Sequence, residues 1–546
     1  MKKLIIIIGL ATTFTSCKKW LDVNDNPNTA TTDVPTAEMR LPPLISQFNY
    51  AYEAAGTRSA FLTQQLAYIN SQGVANFKLT TWLSESSGSA NYPWQTWYVM
   101  AAVNVDPLIT AAKKVEAWHY IGAAKIIKAW GFATMNDFYG MVVYDQFADP
   151  NTYTPRFDDG AYVQTKIMAL LDEAIADLQK TQGLTAPPLA KGDILNNGNV
   201  DTWIKLAYGL KARLLNHLSK KTDYNPQAIL DALTKGPQAD NQSTIMQYVD
   251  EGPAIPDVSK EAQQYGNTGL STKFAKLYVD YLSNNYTGAP TGANNMEDPR
   301  IDTILPNMSV DNGWVRTKGV DVSISAGPNS VSFNTATNSF TGSPLSDSAY
   351  ITLRKTPYAP TAGQRIQSTG SWYTRRGAKA LLLTNAEMRF IEAEVKFRMN
   401  NKTEALAAYK AGMRSHMNLL GIKPTVIDAF LASSSVIQDP AALTMSHIMI
   451  QKFIAMSFSP ENWVDMRRMD YCTASGGVYN EAVGIYKGFK RPFAVNVQAY
   501  PNATDWPRRF AVASYEINYN IAEVLKLDPD AAKPTYLNKP VWWDKP

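Results

Sequence analysis

Cysteine and histidine are scarce in this 546-residue chain, with two cysteines, Cys17 and Cys472, and four histidines, His119, His217, His416 and His447. With Cys17 read as a lipid attachment point, no disulfide can form, so an exported chain of this length must be stabilised by a large core. The histidines stand on expected helices without common spacing, which excludes a metal-ligand motif; each is read as a core or surface residue. HExxH, GxSxG, the P-loop and GxGxxG are all missing. A glycosidase needs only two carboxylates, so that activity is not excluded by sequence. Charge of one sign is lacking too, with 52 basic residues against 48 acidic ones, which argues against a nucleic-acid surface. Beyond the first 16 residues no apolar run approaches the length of a membrane span.

Residues 1–16, MKKLIIIIGLATTFTS, pair two lysines with a short apolar run and small hydroxylated residues, the pattern of a secretory signal. Thr15, Ser16 and Cys17 resemble the lipobox of bacterial lipoproteins, whose cysteine receives a diacylglycerol and becomes the mature N-terminus. Acyl chains such as palmitate, at ~0.8 kcal/mol per buried CH₂, hold a soluble domain on a membrane without a spanning helix. Once Lys2 and Lys3 leave with the signal, 50 basic residues face 48 acidic ones. Residues 17–35 read as a tether. Asp22, Asn24, Asn26 and Asn28 alternate there, but Pro27 stands where a calcium loop needs glycine and no glutamate closes the loop, so turns explain the spacing and no metal is assigned.

The stretch from Ser446 to Tyr471, SHIMIQKFIAMSFSPENWVDMRRMDY, organises the rest. Ile450, Phe453, Ile454 and Phe458 make one apolar helical stripe. Ser459 then offers an N-cap, with Pro460 and Glu461 in a new first turn, so two helices fold back as a hairpin. Trp463 and Met466 repeat the apolar face, and Asp465 and Arg468, three apart, are expected on the surface. Further helices are expected over Thr36 to about Ser71, Trp94 to Tyr139 with a break near Trp118, Ala161 to Lys180, and Asp201 to Lys220. Thr384 and Glu387 form a T-x-x-E capping box at the start of another pair, which turns at Asn400–Lys402. Ala405, Ala408 and Gly412 leave room for a close neighbour. Such pairs look like tetratricopeptide repeats, although their spacing is irregular.

Between about Gly252 and Arg376 Gly, Pro, Ser, Thr and Asn accumulate. VDVSIS, residues 320–325, alternates like a half-buried strand, with SVSFNTATNSF as its expected partner. The stretch is read as an ordered lobe on the helical wall. This lobe and the loop from Asn76 to Pro93 are where a binding site is expected. The chain holds 13 Trp and 28 Tyr. Sugar rings lay apolar C–H faces on such rings while polar side chains take the hydroxyls. Trp94, Trp97, Trp118, Trp130, Trp203 and Trp463 sit in helical patterns and are assigned to packing. Trp82, Tyr92, Tyr286, Trp372 and Tyr373 lie among Ser, Asn and Gly and are the ligand-binding candidates. Arg375, next to Arg376, is added as a reader of an acidic sugar or a peptide carboxylate.

Several phrases carry a resemblance: LDVNDNPN near the start, MNDFYGMVVYDQF followed by TPRFDDGAYVQTKIMALLDEAIADL, NVDTWIKLAYGLKARLLNHLSK, QKFIA followed by ENWVDMRRMDY, and the tail PTYLNKPVWWDKP. In wording and order they resemble the SusD/RagB family of nutrient-binding outer-membrane lipoproteins, over nearly the whole mature chain. The resemblance implies a mostly α fold of TPR-like helical hairpins stacked as a superhelix, with a loop-rich inserted lobe carrying short β-strands. It implies a single domain over 36–546, with a helical body over about 36–251 and 377–546 and the lobe over about 252–376. It also implies a nutrient binder, anchored by lipid at Cys17 in the outer membrane and facing outward, that acts as lid of a SusC-like TonB-dependent transporter. No cofactor and no covalent chemistry are implied. The ligand is an oligosaccharide or a peptide, and the loop aromatics favour the sugar. Trp542 and Trp543 are expected to clasp the tail to the body. Surface-displayed members often carry acidic residues after the cysteine, whereas Lys18 and Lys19 stand here, so the leaflet stays open. Two alternatives also stay open: an exported glycoside hydrolase, and a helical-repeat structural or adhesive lipoprotein without a small-molecule site.

Overall fold

The structure, a computed structural model, describes residues 35–68, 75–83, 90–248, 272–305, 308–310, 313–315, 319–324, 332–334, 339–341, 364–366, 372–373, 378–472 and 479–546. The export signal, Cys17, the Asn-rich segment 22–28, Arg375 and Arg376 lie outside them. Ten helices carry the argument: α1 (Ala37–Leu62), α2 (Asn91–Gln95), α3 (Trp118–Tyr139), α4 (Gly160–Leu178), α5 (Val200–His217), α6 (Asn385–Arg398), α7 (Lys402–Leu419), α8 (Met445–Ala455), α9 (Glu461–Arg468) and α10 (Ser514–Tyr519). The fold is mostly α, and sequential helices pair as hairpins, α3 with α4 and α6 with α7 most extensively.

Local chemistry explains these pairs. Asp159 caps α4 by accepting from the N–H groups of Ala161 and Tyr162, and Asn199 caps α5 through Thr202. Gly140 ends α3 in the left-handed conformation at φ 74°, where a side chain would also meet Val541 and Arg509. Gly412 on α7 lets Phe390 of α6 lie against the backbone. One continuous apolar core runs from Ala37 to Leu537, with Trp97, Trp203 and Trp463 fully buried and Trp94 and Trp130 nearly so, as their helical patterns require; Trp118 packs at its edge.

Several expectations are corrected. The first helix ends at Leu62, and Leu66–Tyr68 instead forms a strand antiparallel to Thr272–Phe274. The stripe through Phe458 stops at Ala455, and Phe458 sits in a turn at φ 62°. Thr384 accepts from the N–H of Glu387 at 3.2 Å, but the Glu387 carboxylate goes to Arg213 rather than back to the cap, so that box is half-formed. A complete box stands at Thr444, closed by His447. In the lobe, Val320 bridges Ala275 while 322–324 turn, and Ser332–Asn334 pairs with Ser339–Thr341 rather than with 320–325. A three-stranded ladder, Gln364–Ile366 with Met308–Val310 and Gly313–Val315, supplies the short β-structure.

The largest correction concerns Asp465 and Arg468, expected at the surface and found buried. The Arg468 guanidinium grips Glu394 of α6 at 2.8 and 2.9 Å and Asp465 at 2.5 Å, while Lys452 of α8 pairs with Asp465 at 2.8 Å. These bonds run sideways, tying α9 to α6 and α8. A hydrophobic pattern cannot reveal them, because the sequence records a charge and not its partner.

Candidate functional site

Two buried polar nodes need a reading before the surface. In the first, His217 turns one ring nitrogen to Glu461 at 2.9 Å and the other to Asp137 at 3.5 Å. Burial works against the imidazolium, but the two carboxylates outweigh it and hold the pKa up at about 9. Ligand atoms of these three residues lie within 4.8 Å of one another. With both ring nitrogens turned to carboxylates, the imidazole is a charged bridge and not a lone-pair donor to a metal. Asp137 also accepts the Trp543 indole N–H at 2.7 Å, and Arg467 stacks over Trp463 and Trp543 at 4.1 and 4.8 Å. Asp544 takes Lys220 and Arg508 at 2.9 and 3.0 Å, while Trp542 lies over Gly160. The tail tryptophans therefore clasp the chain end onto the body.

In the second node, Arg300 pairs with Asp298 and donates to His416 Nδ1 at 3.2 Å. Burial, and then the charge of Arg300, push His416 well below its ordinary pKa, so the ring is neutral. A nitrogen that accepts from guanidinium leaves Nε2 carrying the proton, so Nε2–H donates to the Tyr373 hydroxyl at 2.7 Å.

That bond places one of the residues chosen from sequence. Tyr373 is buried, with its ring edge-on to Trp372 at 4.7 Å, and Trp372 is 8% exposed. Trp82 is 3% exposed, at φ 52°, packed among Phe489, Tyr500 and Trp506. Tyr286 is half-buried, edge-on to Tyr281 at 5.1 Å. Tyr92 is half-buried on α2, and Arg375 lies outside the described residues. The structure thus scatters the five rings over four places.

Around Tyr92 a different group gathers. The Tyr92 ring lies edge-on to Tyr50 of α1 at 5.7 Å, with the two hydroxyls hydrogen-bonded, and the Arg58 guanidinium stacks over Tyr92 at 4.4 Å. Glu53, one turn beyond Tyr50 on the same face, accepts from the Tyr248 hydroxyl at 2.8 Å. Two contacts thus run along α1, Tyr50 and Arg58 with Tyr92 of α2, and Glu53 with Tyr248 just past the strand Thr244–Met246. Tyr50 was missed in sequence because it sits inside a long helical pattern. Its half-exposed spacing with Gln47 and Glu53 is the signal that marks α1's outer face. Two open grooves lie elsewhere, one of about 740 Å³ between Thr36, Pro107 and Pro187, the other of about 780 Å³ beside Trp542. Neither shares a residue with this tyrosine surface.

The arrangement of paired helices, loop-rich lobe and clasped tail is shared with solved structures. A SusD/RagB family protein from Bacteroides thetaiotaomicron is similar at 19% identity and TM-score 0.64, over 93% of this chain and 99% of that one. A chitin-binding SusD homologue from Flavobacterium johnsoniae gives 17% and 0.64, over 93% and 98%. A Bacteroidetes AC2a SusD-like protein gives 18% and 0.66, over 94% and 100%. At these identities the likeness is one of fold. No curated protein matches the chain significantly in sequence. A profile of the SusD-like_2 family, described as starch-binding and associating with the outer membrane, matches residues 31–485, and the chain belongs to that family.

Proposed function

We propose that this protein is a lipid-anchored glycan-capture protein of the outer membrane, and that the tyrosine surface around Tyr50 and Tyr92 holds a neutral oligosaccharide. The observation that carries the reading is that Tyr pair, half-exposed and flanked by Tyr248, Glu53 and Arg58. Phenol rings take the C–H face of a sugar, while the buried Arg58 and Tyr248 hold Tyr92 and Glu53 in place. Membership of a family described as starch-binding, and the chitin-binding homologue with the same fold, support sugar over peptide. Cys17 would carry the lipid and residues 17–35 the tether, consistent with the lack, among the described residues, of any helix long and apolar enough to cross a membrane. The domain over 36–546 would act as a lid on a SusC-like TonB-dependent transporter, and ligand contacts to both partners would favour closure.

No covalent chemistry is assigned. Asp137 and Glu461 do face one another, but they are buried and joined by the His217 imidazolium, whereas a glycosidase needs its two carboxylates open to substrate and water. The test is titration of the purified full-length protein in detergent against maltotetraose, chitotetraose and a peptide panel, with product analysis. Affinity for a sugar without products, weakened by Tyr92→Ala, is expected. Hydrolysed product, or affinity for peptides alone, would overturn the reading.

A further inference from the structure

The tyrosine surface does not stop at Tyr92. On the side of α2 facing α10, Asn91 and Ser514 exchange two hydrogen bonds at 2.5 and 2.6 Å, and the Tyr515 hydroxyl donates to Gln95 at 3.1 Å. Tyr515 and Tyr519, four residues apart, share one face of α10 about 6 Å apart along its axis, a step that one sugar ring spans. Asn518 is exposed between them. Asn520 then donates to the carbonyl of Pro155 at 2.8 Å, which brings in the loop carrying Tyr153. Tyr519 and Tyr153 are 80% and 95% exposed, and Tyr515 is 43% exposed. Single exposed aromatics need no explanation, but several in succession beside a binding surface do.

The charge along this path is balanced and not of one sign. Glu516 turns away from the exposed face and accepts from Asn520 at 3.3 Å, and burial raises its carboxyl pKa. Arg156, next to Pro155, is paired with Asp145 at 2.8 Å. Outward lie phenol rings and amides, with the exposed Asp149 and Arg156 of opposite sign on the Tyr153 loop, so no charge of one sign dominates and the face suits a long uncharged chain of hydroxylated rings better than an acidic or basic partner.

We propose that Tyr515, Asn518, Tyr519 and Tyr153 form a second glycan surface, continuous with Tyr50 and Tyr92 through Asn91 and Gln95, and that the protein takes an extended neutral polysaccharide rather than a short oligosaccharide alone. The proposal rests on the glycan reading above and adds the length of the ligand to it. A long chain engages both surfaces at once, and the second contact forms at high effective concentration.

The test uses the full-length protein in native affinity gels containing soluble amylopectin or glycol chitin, beside titrations with maltotetraose and chitotetraose. The polymer bound by the wild type should be bound at least tenfold more weakly by the Tyr515→Ala/Tyr519→Ala double variant. Its tetrasaccharide affinity and melting temperature should remain those of the wild type, and Tyr519→Phe should restore polymer binding in part. Tyr92→Ala should weaken both ligands. Wild-type polymer affinity in the double variant, or a wild type that binds polymer no more tightly than tetrasaccharide, would overturn the extension and leave the Tyr50–Tyr92 reading standing. Loss of co-purification with a barrel receptor, with polymer affinity intact, would reassign α10 to protein docking. A wild type that binds neither polymer nor tetrasaccharide would overturn both readings.

Discussion

The buried junction of α6, α8 and α9 and the outer face shared by α1, α2 and α10 use opposite chemistry. Inside, Arg468, Glu394, Asp465 and Lys452 place four charges where apolar packing would be the default. Outside, Tyr50, Tyr92, Tyr515 and Tyr519 place rings where charge would be the default. The charges are mutually bonded and therefore closed, so they fix how the hairpins stack. The rings are half-buried at Tyr50 and Tyr92 and exposed at Tyr515 and Tyr519, which is the basis for proposing that they meet a solute. A scaffold cross-linked by ions and displaying aromatics can hold the proposed recognition surface still.

The sharpest way to break this comparison is Arg468→Met. The change strands Glu394 and Asp465 without their main partner, and loss of one member of a buried ion cluster costs about 3–5 kcal/mol, readable by urea unfolding. Next comes Trp543→Phe, which keeps the ring but removes the donor to Asp137. It should cost about 1–3 kcal/mol of thermal stability by leaving a buried carboxylate short of one bond.

The pH dependence should be graded. The pKa of His217 is raised from 6.5 to about 9 in the folded protein, so its contribution is complete below pH 6.5 and is lost as pH rises through about 9. Melting temperature should fall over that window in the wild type, and His217→Gln, less stable at pH 7, should show a flatter profile. Glu394 and Glu461 move the other way. Burial opposes their charge, but Arg468, and Arg213 with His217, hold them below the carboxylate range. Their stabilisation is present above the ordinary carboxylate pKa and is lost as pH falls. The smallest effect on stability belongs to Tyr92→Ala, which should cost about 1–2 kcal/mol through the lost packing on Tyr50 and Arg58 while lowering glycan affinity about tenfold.

The same contrast explains what could be read from sequence. Helical periodicity located the hairpins, because Ile450, Phe453 and Ile454 or Met388 and Ile391 declare one buried face without knowledge of their neighbours. Asp465 and Arg468 misled for the converse reason, since a charged pair at i, i+3 reads as solvated unless Glu394, 71 positions before Asp465, is known to meet it. Aromatics misled in the same direction. Trp82, Trp372 and Tyr373 have loop-like neighbours in sequence, yet each loop folds its ring inward, Tyr373 onto His416 and Trp82 onto Trp506. Tyr50 and Tyr519 lie in helices and look structural until the outer face of each helix is known. Tyr92 and Tyr286 both combined loop-like flanks with a half-buried ring, but Tyr286 packs on Tyr281, and Tyr92 is the one sequence candidate on the surface proposed here.

The most direct measurement of the central claim is a calorimetric titration of the full-length protein with maltotetraose and chitotetraose, repeated on Tyr92→Ala, with the cell contents then analysed for products. Saturable binding of one sugar by the wild type, about tenfold weaker binding by a variant that is still fully folded at the assay temperature, and sugar recovered intact are expected. Equal affinity in the variant, or shortened sugar in the cell, would contradict the account.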